Sequence, residues 1–174
     1  MRKLTVVITL LVILALLNFA IFKREKHIEN GAVVFLPLAP VDPRSLMQGD
    51  YMALNFAMSR DIHKALPKVE HHRYFWRKEV DGNDGFVLVN LNEKRVATFS
   101  SIYKNETLKK DQMLLQYRVR AGEVKFATNA FFFEEGTGSS YDKAKFGEFR
   151  VNKKHELLLV DMYDENLTKI EPLT

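Results

Sequence analysis

Cysteine is absent from the 174-residue chain. That excludes a disulfide, a thiolate nucleophile, an Fe–S cluster and a thiolate zinc site. It leaves the redox compartment open, because a domain of this size folds without bridges. A basic field is missing too, although the formal net charge is +4. Of 26 basic and 22 acidic residues, Arg2, Lys3, Lys23, Arg24, Lys26 and Glu25 fall in residues 1–26, which leaves 21 of each sign beyond. The rest of the chain is formally neutral, so no nucleic-acid partner is expected. Internal repeats, coiled-coil heptads and low-complexity tracts are also lacking. With 47% hydrophobic and 28% charged residues, the chain has the composition of one ordinary folded domain plus an accessory segment.

The accessory segment is residues 4–22, LTVVITLLVILALLNFAIF, which carry no charge and only Thr5, Thr9 and Asn18 as polar residues. As a helix these residues reach about 28 Å, close to the ~30 Å hydrocarbon core of a bilayer. A helix is expected because lipid offers the backbone no hydrogen-bond partner. A cleaved secretory signal has a shorter apolar stretch and a small-x-small site. Here Ala20 is flanked by Phe19 and Ile21, and Lys23-Arg24 ends the run. The expectation is an uncleaved signal anchor over 1–22 that contacts the lipid bilayer through residues 4–22. Basic residues flank both ends, so charge alone does not orient it. Because a short N-terminus before a single span usually behaves as a signal anchor, the expectation is an N-terminus inside and a long C-terminal part outside the cytoplasmic membrane.

Residues 23–32 (KREKHIENGA) form a polar juxtamembrane linker, and 33–174 a single domain. Within it, 33–38 and 51–58 look like strands, and 59–70 carry helical spacing cut by Pro67. The DGNDG at 81–85 signals a turn into a strand over 86–91. Asn92-Glu93-Lys94 turns the chain back along 95–103. Further strands are expected at 111–119, 123–130, 131–133, 149–151, 157–163 and 167–170, with a turn at Ala121-Gly122 and one or two helical turns at 141–146. Seven to nine short strands at this spacing argue for a mainly β fold: an antiparallel barrel or sandwich with one or two short helices after a single N-terminal transmembrane helix.

One segment carries a resemblance. Asp42-Pro43-Arg44 precedes Gly49-Asp50-Tyr51-x-x-Leu54-x-Phe56. This resembles the GDYXXLXY family of bacterial membrane-anchored proteins, although Phe56 stands where the family has a second Tyr. The resemblance extends to Arg118 and Arg120 on one strand and to Phe133-Glu134-Glu135-Gly136 with Tyr141, Ala144 and Gly147 following. It implies a membrane-anchored bacterial protein with a multi-spanning membrane protein as partner; the inner (cytoplasmic) membrane is the expectation from the signal anchor. It implies no known biochemistry. Read physically, Gly49 permits a tight turn and Asp50 can fix it by accepting backbone N–H bonds. Tyr51, Ala53 and Asn55 then share one strand face, with Met52, Leu54 and Phe56 on the other. A structural corner and a ligand or partner site both fit this pattern.

Type I signal peptidases share the Leu46-x-x-Gly49-Asp50 spacing, but their nucleophile position falls on Val41, which cannot attack a carbonyl. Ser45 is the remaining candidate, without an assignable Lys base. His71-His72 point to opposite faces of a strand and do not readily share a metal. Glu134, Glu135, Asp142 and Glu148 could do acid–base work if two lie at a suitable separation. Arg118 and Arg120 could pair with Asp50, Glu134 or Glu135, or bind an anion. Tyr74-Phe75-Trp76-Arg77-Lys78 suits either core packing or membrane headgroups. No cofactor or metal is expected. The sequence favours a non-enzymatic accessory or interaction protein, against an envelope hydrolase or a small-ligand-binding domain lined by Phe131–Phe133. The segments 49–56, Arg118/Arg120 and 133–136 are expected to meet.

Overall fold

The computed structural model describes residues 2–39, 51–66, 84–120, 123–128 and 130–172. Asp42, Pro43, Arg44, Ser45, Gly49 and Asp50 lie outside the described residues. So do His71, His72, the Tyr74–Lys78 tract and the Ala121-Gly122 turn. Helix α1 (Arg2–Asn30) runs for 29 residues, about 43 Å. From Leu4 to Phe22 its large apolar side chains are 46–67% exposed, and none of its apolar window is buried against the domain. The helix is long and apolar enough to cross a membrane. Two polar side chains of its apolar stretch bond back within the helix: Thr9 donates to the Thr5 carbonyl and Asn18 to the Leu14 carbonyl. Residues 23–30 of the expected linker continue the same helix, which runs unbroken to Asn30.

The domain is β-rich and antiparallel, as its short alternating segments predict. Strands β1 (Ala32–Pro37), β8 (Phe146–Val151) and β9 (Leu157–Tyr163) form one sheet in the order β1-β8-β9. Strands β3 (Gly85–Leu91), β4 (Ala97–Ile102), β5 (Gln112–Arg120) and β6 (Glu123–Lys125) form a second, in the order β4-β3-β5-β6. A parallel bridge, Phe35 to Val96, joins the two where Phe35 N–H donates to the Arg95 carbonyl at 3.0 Å. The strands curl as a half-barrel. A third pair, β2 (Tyr51–Ala53) with β7 (Ala130–Phe132), helix α2 (Ser59–Ala65) and a 3-10 turn at Gly138–Tyr141 complete the described elements. Helix α2 buries Ile62 completely, and Ser59 ties its start to the Val124 carbonyl.

Apolar residues from the inner faces make one core. Val34 and Leu36 of β1 meet Phe149 and Val151 of β8, Met162 of β9, and Val87, Val89 and Leu115 of the second sheet. Three turns share one construction. Asn92, Asn152 and Asp164 each accept backbone N–H bonds on the side-chain oxygen. The fourth residue of each, Arg95, His155 and Leu167, takes a φ of 62°, 63° and 60°. The Asp164 turn explains why 167–170 is not the expected strand. The chain folds back so that Ile170 N–H reaches the Met162 carbonyl and its side chain enters the core. The expected strand over 123–130 is likewise divided. Phe126 turns into the core, and the Thr128 hydroxyl bonds the backbone of Ala130 before β7 begins. The helical turn expected at 141–146 comes earlier, as a 3-10 turn at Gly138–Tyr141, because β8 already claims Phe146.

The joint between α1 and the domain is tight. Gly31 N–H closes on the His27 carbonyl at 2.9 Å, and the Nε2 N–H of His27 donates to the Arg150 carbonyl at 3.0 Å. A Cβ on Gly31 would lie 2.6 Å from the His27 carbonyl oxygen and 2.8 Å from Arg150 Cβ. Real Cβ atoms do not approach backbone that closely, so Gly31→Ala must push α1 off β8. The expected cost is about 1–3 kcal/mol. Hydrogen exchange should show faster exchange at residues 27–31 and on β8, with the far sheet unchanged.

Candidate functional site

The described part of the motif is built as its alternation predicts. Met52, Leu54 and Phe56 are buried at 1–3% exposure, whereas Tyr51, Ala53 and Asn55 face outward. Phe56 sits between Phe126 and Phe149, edge-on to both, with centroids 5.5 and 5.6 Å away. The stretch after β2 is stitched to the end of β1 by the Leu38–Phe56 bridge and by Ala39 N–H donating to the Asn55 carbonyl at 2.7 Å. Tyr51 lies against the highly exposed Phe132 of β7 at 5.8 Å.

Strand β7 leads straight into the second matching segment. Phe131 and Phe133 both pack on the buried Tyr141, at 5.1 and 5.2 Å, the latter nearly parallel. Glu134 and Glu135 are exposed on a turn in which Gly136 takes φ 82° and Thr137 donates to the Glu134 carbonyl. Burial, then the nearby Asp161 and Glu134 charges, push the Tyr141 phenol up, opposed by Lys169. The first and third segments of the expected centre are therefore joined through the β2–β7 pair.

Arg118 and Arg120 belong to a different surface. Arg118 donates to the Ala127 carbonyl at 3.4 Å, and Arg120 pairs with Asp84 at 2.8 Å. Both line a cleft of about 1260 Å³ beside α1, to which neither residues 51–56 nor 133–136 contribute.

A polar network not anticipated as a unit lies on the outer face of β8 and β9. Glu148 is only 6% exposed. One carboxylate oxygen accepts the Tyr163 hydroxyl at 2.6 Å, and the other pairs with Arg150 Nη2 at 3.0 Å. Asp161 lies across from Glu148 in the strand register and pairs with Lys169. Phe35 covers one side, edge-on to Tyr163 at 5.0 Å. The sequence signal was present in Glu148-x-Arg150: opposite charges two apart on a strand share a face. Both carboxylate oxygens of Glu148 are thus engaged within the sheet.

Burial and the hydrogen bond to Glu148 push the Tyr163 phenol up to about 12. An unfolded phenol titrates near 10, so between these values the folded chain holds the proton more tightly. This stabilisation is complete below about pH 10 and is lost as pH rises through about 12. Alkaline unfolding of Tyr163→Phe should show a shallower loss of stability over that window, measured beside the tyrosinate absorbance.

Among the described residues, no group of three or more His, Cys, Asp or Glu converges as a metal set. His155 rests edge-on against Phe86, and His27 serves the α1 joint.

These features define a class: a β-rich domain that follows one long apolar helix and touches its C-terminal end through the His27–Arg150 hydrogen bond. The family model described as GDYXXLXY protein matches residues 13–162, and the chain belongs to that family. No curated protein and no solved structure matches it.

Proposed function

We propose that the protein is a membrane-anchored accessory or interaction protein of the bacterial envelope, non-enzymatic, acting beside a multi-spanning membrane protein. Residues 4–22 cross the inner membrane once, with the N-terminus in the cytoplasm and the domain outside. The observation that carries this reading is the exposed apolar length of α1 continuing unbroken into the Gly31–His27 joint. A rod whose apolar side chains find no partner in their own domain needs lipid or another apolar helix around it. The stiff joint then holds the domain at a fixed height and raises its effective concentration for membrane neighbours.

The test is affinity capture from detergent-solubilised membranes, combined with a C-terminal reporter active only in the cytoplasm. The expected result is a silent reporter and one recurrent integral membrane protein. An active reporter would overturn the orientation. A freely soluble mature chain lacking its first two dozen residues would overturn the anchor. Ser45→Ala and Glu135→Gln variants separate this reading from an envelope hydrolase: intact cellular function in both supports the interaction role.

A further inference from the structure

The cleft between α1 and the domain has an uneven chemistry. Its lower wall is apolar: Phe19, Ala20 and Phe22 from the end of the apolar rod. Above them α1 contributes Lys23, Arg24 and Lys26. The facing domain wall contributes Arg118 and Arg120 from β5 and Lys153 and Lys154 from the β8–β9 turn. Only two acids, Asp84 and Glu156, line the same space. Asp84 is paired with Arg120, and Glu156 accepts from Asn152 at 2.7 Å. Lys23, Arg24, Lys153 and Lys154 form no salt bridge among the described residues. The two walls face each other electrostatically. The Asn152 hydrogen bond, then Lys154, Lys23 and His27, hold the Glu156 carboxyl below its ordinary range, so helix and turn act on one group.

We infer that this cleft seats the headgroup of an anionic phospholipid, with its phosphate among the Lys and Arg side chains and its acyl chains along Phe19 and Phe22. The inference rests on the reading of residues 4–22 as a membrane span. Given that span, Phe22 stands at the edge of the hydrocarbon and the next turn of α1 lies at headgroup depth. The cleft therefore opens where lipid phosphates are, and the apolar-to-cationic order along its α1 wall matches an amphiphile of that polarity, with Leu157, Leu158 and Leu159 adding apolar surface on the domain side. Each Lys or Arg at such a surface favours anionic over neutral lipid. The neutral charge of the domain as a whole makes this concentration of cations a local feature of the cleft.

The experiment reconstitutes the full chain into vesicles of phosphatidylcholine containing a minority of phosphatidylglycerol. Native mass spectrometry then reads the lipid retained after mild detergent extraction. Phosphatidylglycerol should be enriched about tenfold over its bulk share. Lys153→Gln with Lys154→Gln, which leaves the flank of the span intact, should lose most of that enrichment. Lys104→Gln with Lys109→Gln and Lys110→Gln, exposed and outside the cleft, should keep it. Retained lipid that mirrors the bulk mixture overturns the assignment, as does equal enrichment with and without Lys153 and Lys154. A protein segment crosslinked at Lys153 in place of lipid overturns it too. Flotation with pure phosphatidylcholine vesicles reports the anchor separately. Flotation without charge selectivity removes the lipid site alone, and failure to float removes the span and the site together.

Discussion

Phe56→Ala is expected to lower the unfolding free energy by about 3–5 kcal/mol, the usual range for removing a fully packed phenylalanine. Two contributions add. The buried ring loses its transfer free energy, and a cavity opens between Phe126 and Phe149, whose centroids lie 5.5 and 5.6 Å away. Collapse is hindered because the flanking backbone is fixed on both sides. Ala57 N–H bonds the Pro37 carbonyl, and Ser59 N–H bonds the Phe56 carbonyl as α2 begins. The loss should therefore spread from the motif to the end of β1 and the start of α2. Urea unfolding of the detergent-solubilised full chain, followed by far-UV dichroism, measures the shift in midpoint. Tyr51→Ala on the opposite face should cost far less, because its ring is more than a third exposed and touches mainly Phe132. A similar loss from both substitutions would contradict the alternating burial of this segment.

That contrast marks what the sequence made legible. Period-two alternation assigned the two faces of residues 51–56 correctly, because burial on one side leaves a clear pattern. The β9 bounds and the turn at Asn92 were readable for the same local reasons. The limits came from contacts distant in sequence. Nothing in 167–170 announces that the Asp164 carboxylate captures two backbone N–H groups and bends an apolar, strand-like segment back on itself. Nothing in Phe126 says that it leaves the strand to meet the distant Phe56. The candidate site divides in the same way. The link between the Tyr51 and Phe133 segments depends on β2 pairing with β7. The cleft depends on Lys153 and Lys154 facing Lys23 and Arg24 from the far end of the chain. Side-chain identity set the local chemistry, while sheet order chose which chemistries became neighbours.

Glu148→Leu is expected to cost about 3 kcal/mol, near the lower end for breaking a buried ion pair, because the Arg150 side chain keeps 27% exposure. The loss has two sources: Arg150 is left without its carboxylate, and the Tyr163 hydroxyl without its acceptor. The Arg150 Nε already lacks a hydrogen-bond partner, so the guanidinium has little alternative on this face. Adding Arg150→Leu should recover a large part of the stability, since a matched apolar pair avoids the desolvation of both charges. Urea midpoints for the single and double variants, at one pH below about 9, where the Tyr163 phenol stays protonated in both states, read the difference directly. A double variant no more stable than Glu148→Leu would mean that Arg150 acts chiefly through packing. Recovery of stability need not restore order. β8 and β9 shift register between Glu148 and Phe149, and a one-residue slip exchanges the faces of every side chain beyond it. Apolar Phe149 could trade places with an apolar residue 148 at small cost, but a carboxylate could not enter the core. The charge at Glu148 therefore penalises the slipped register. The double variant is expected to regain stability while giving broader amide signals along β8 and β9, and with them a looser seat for α1 at Arg150.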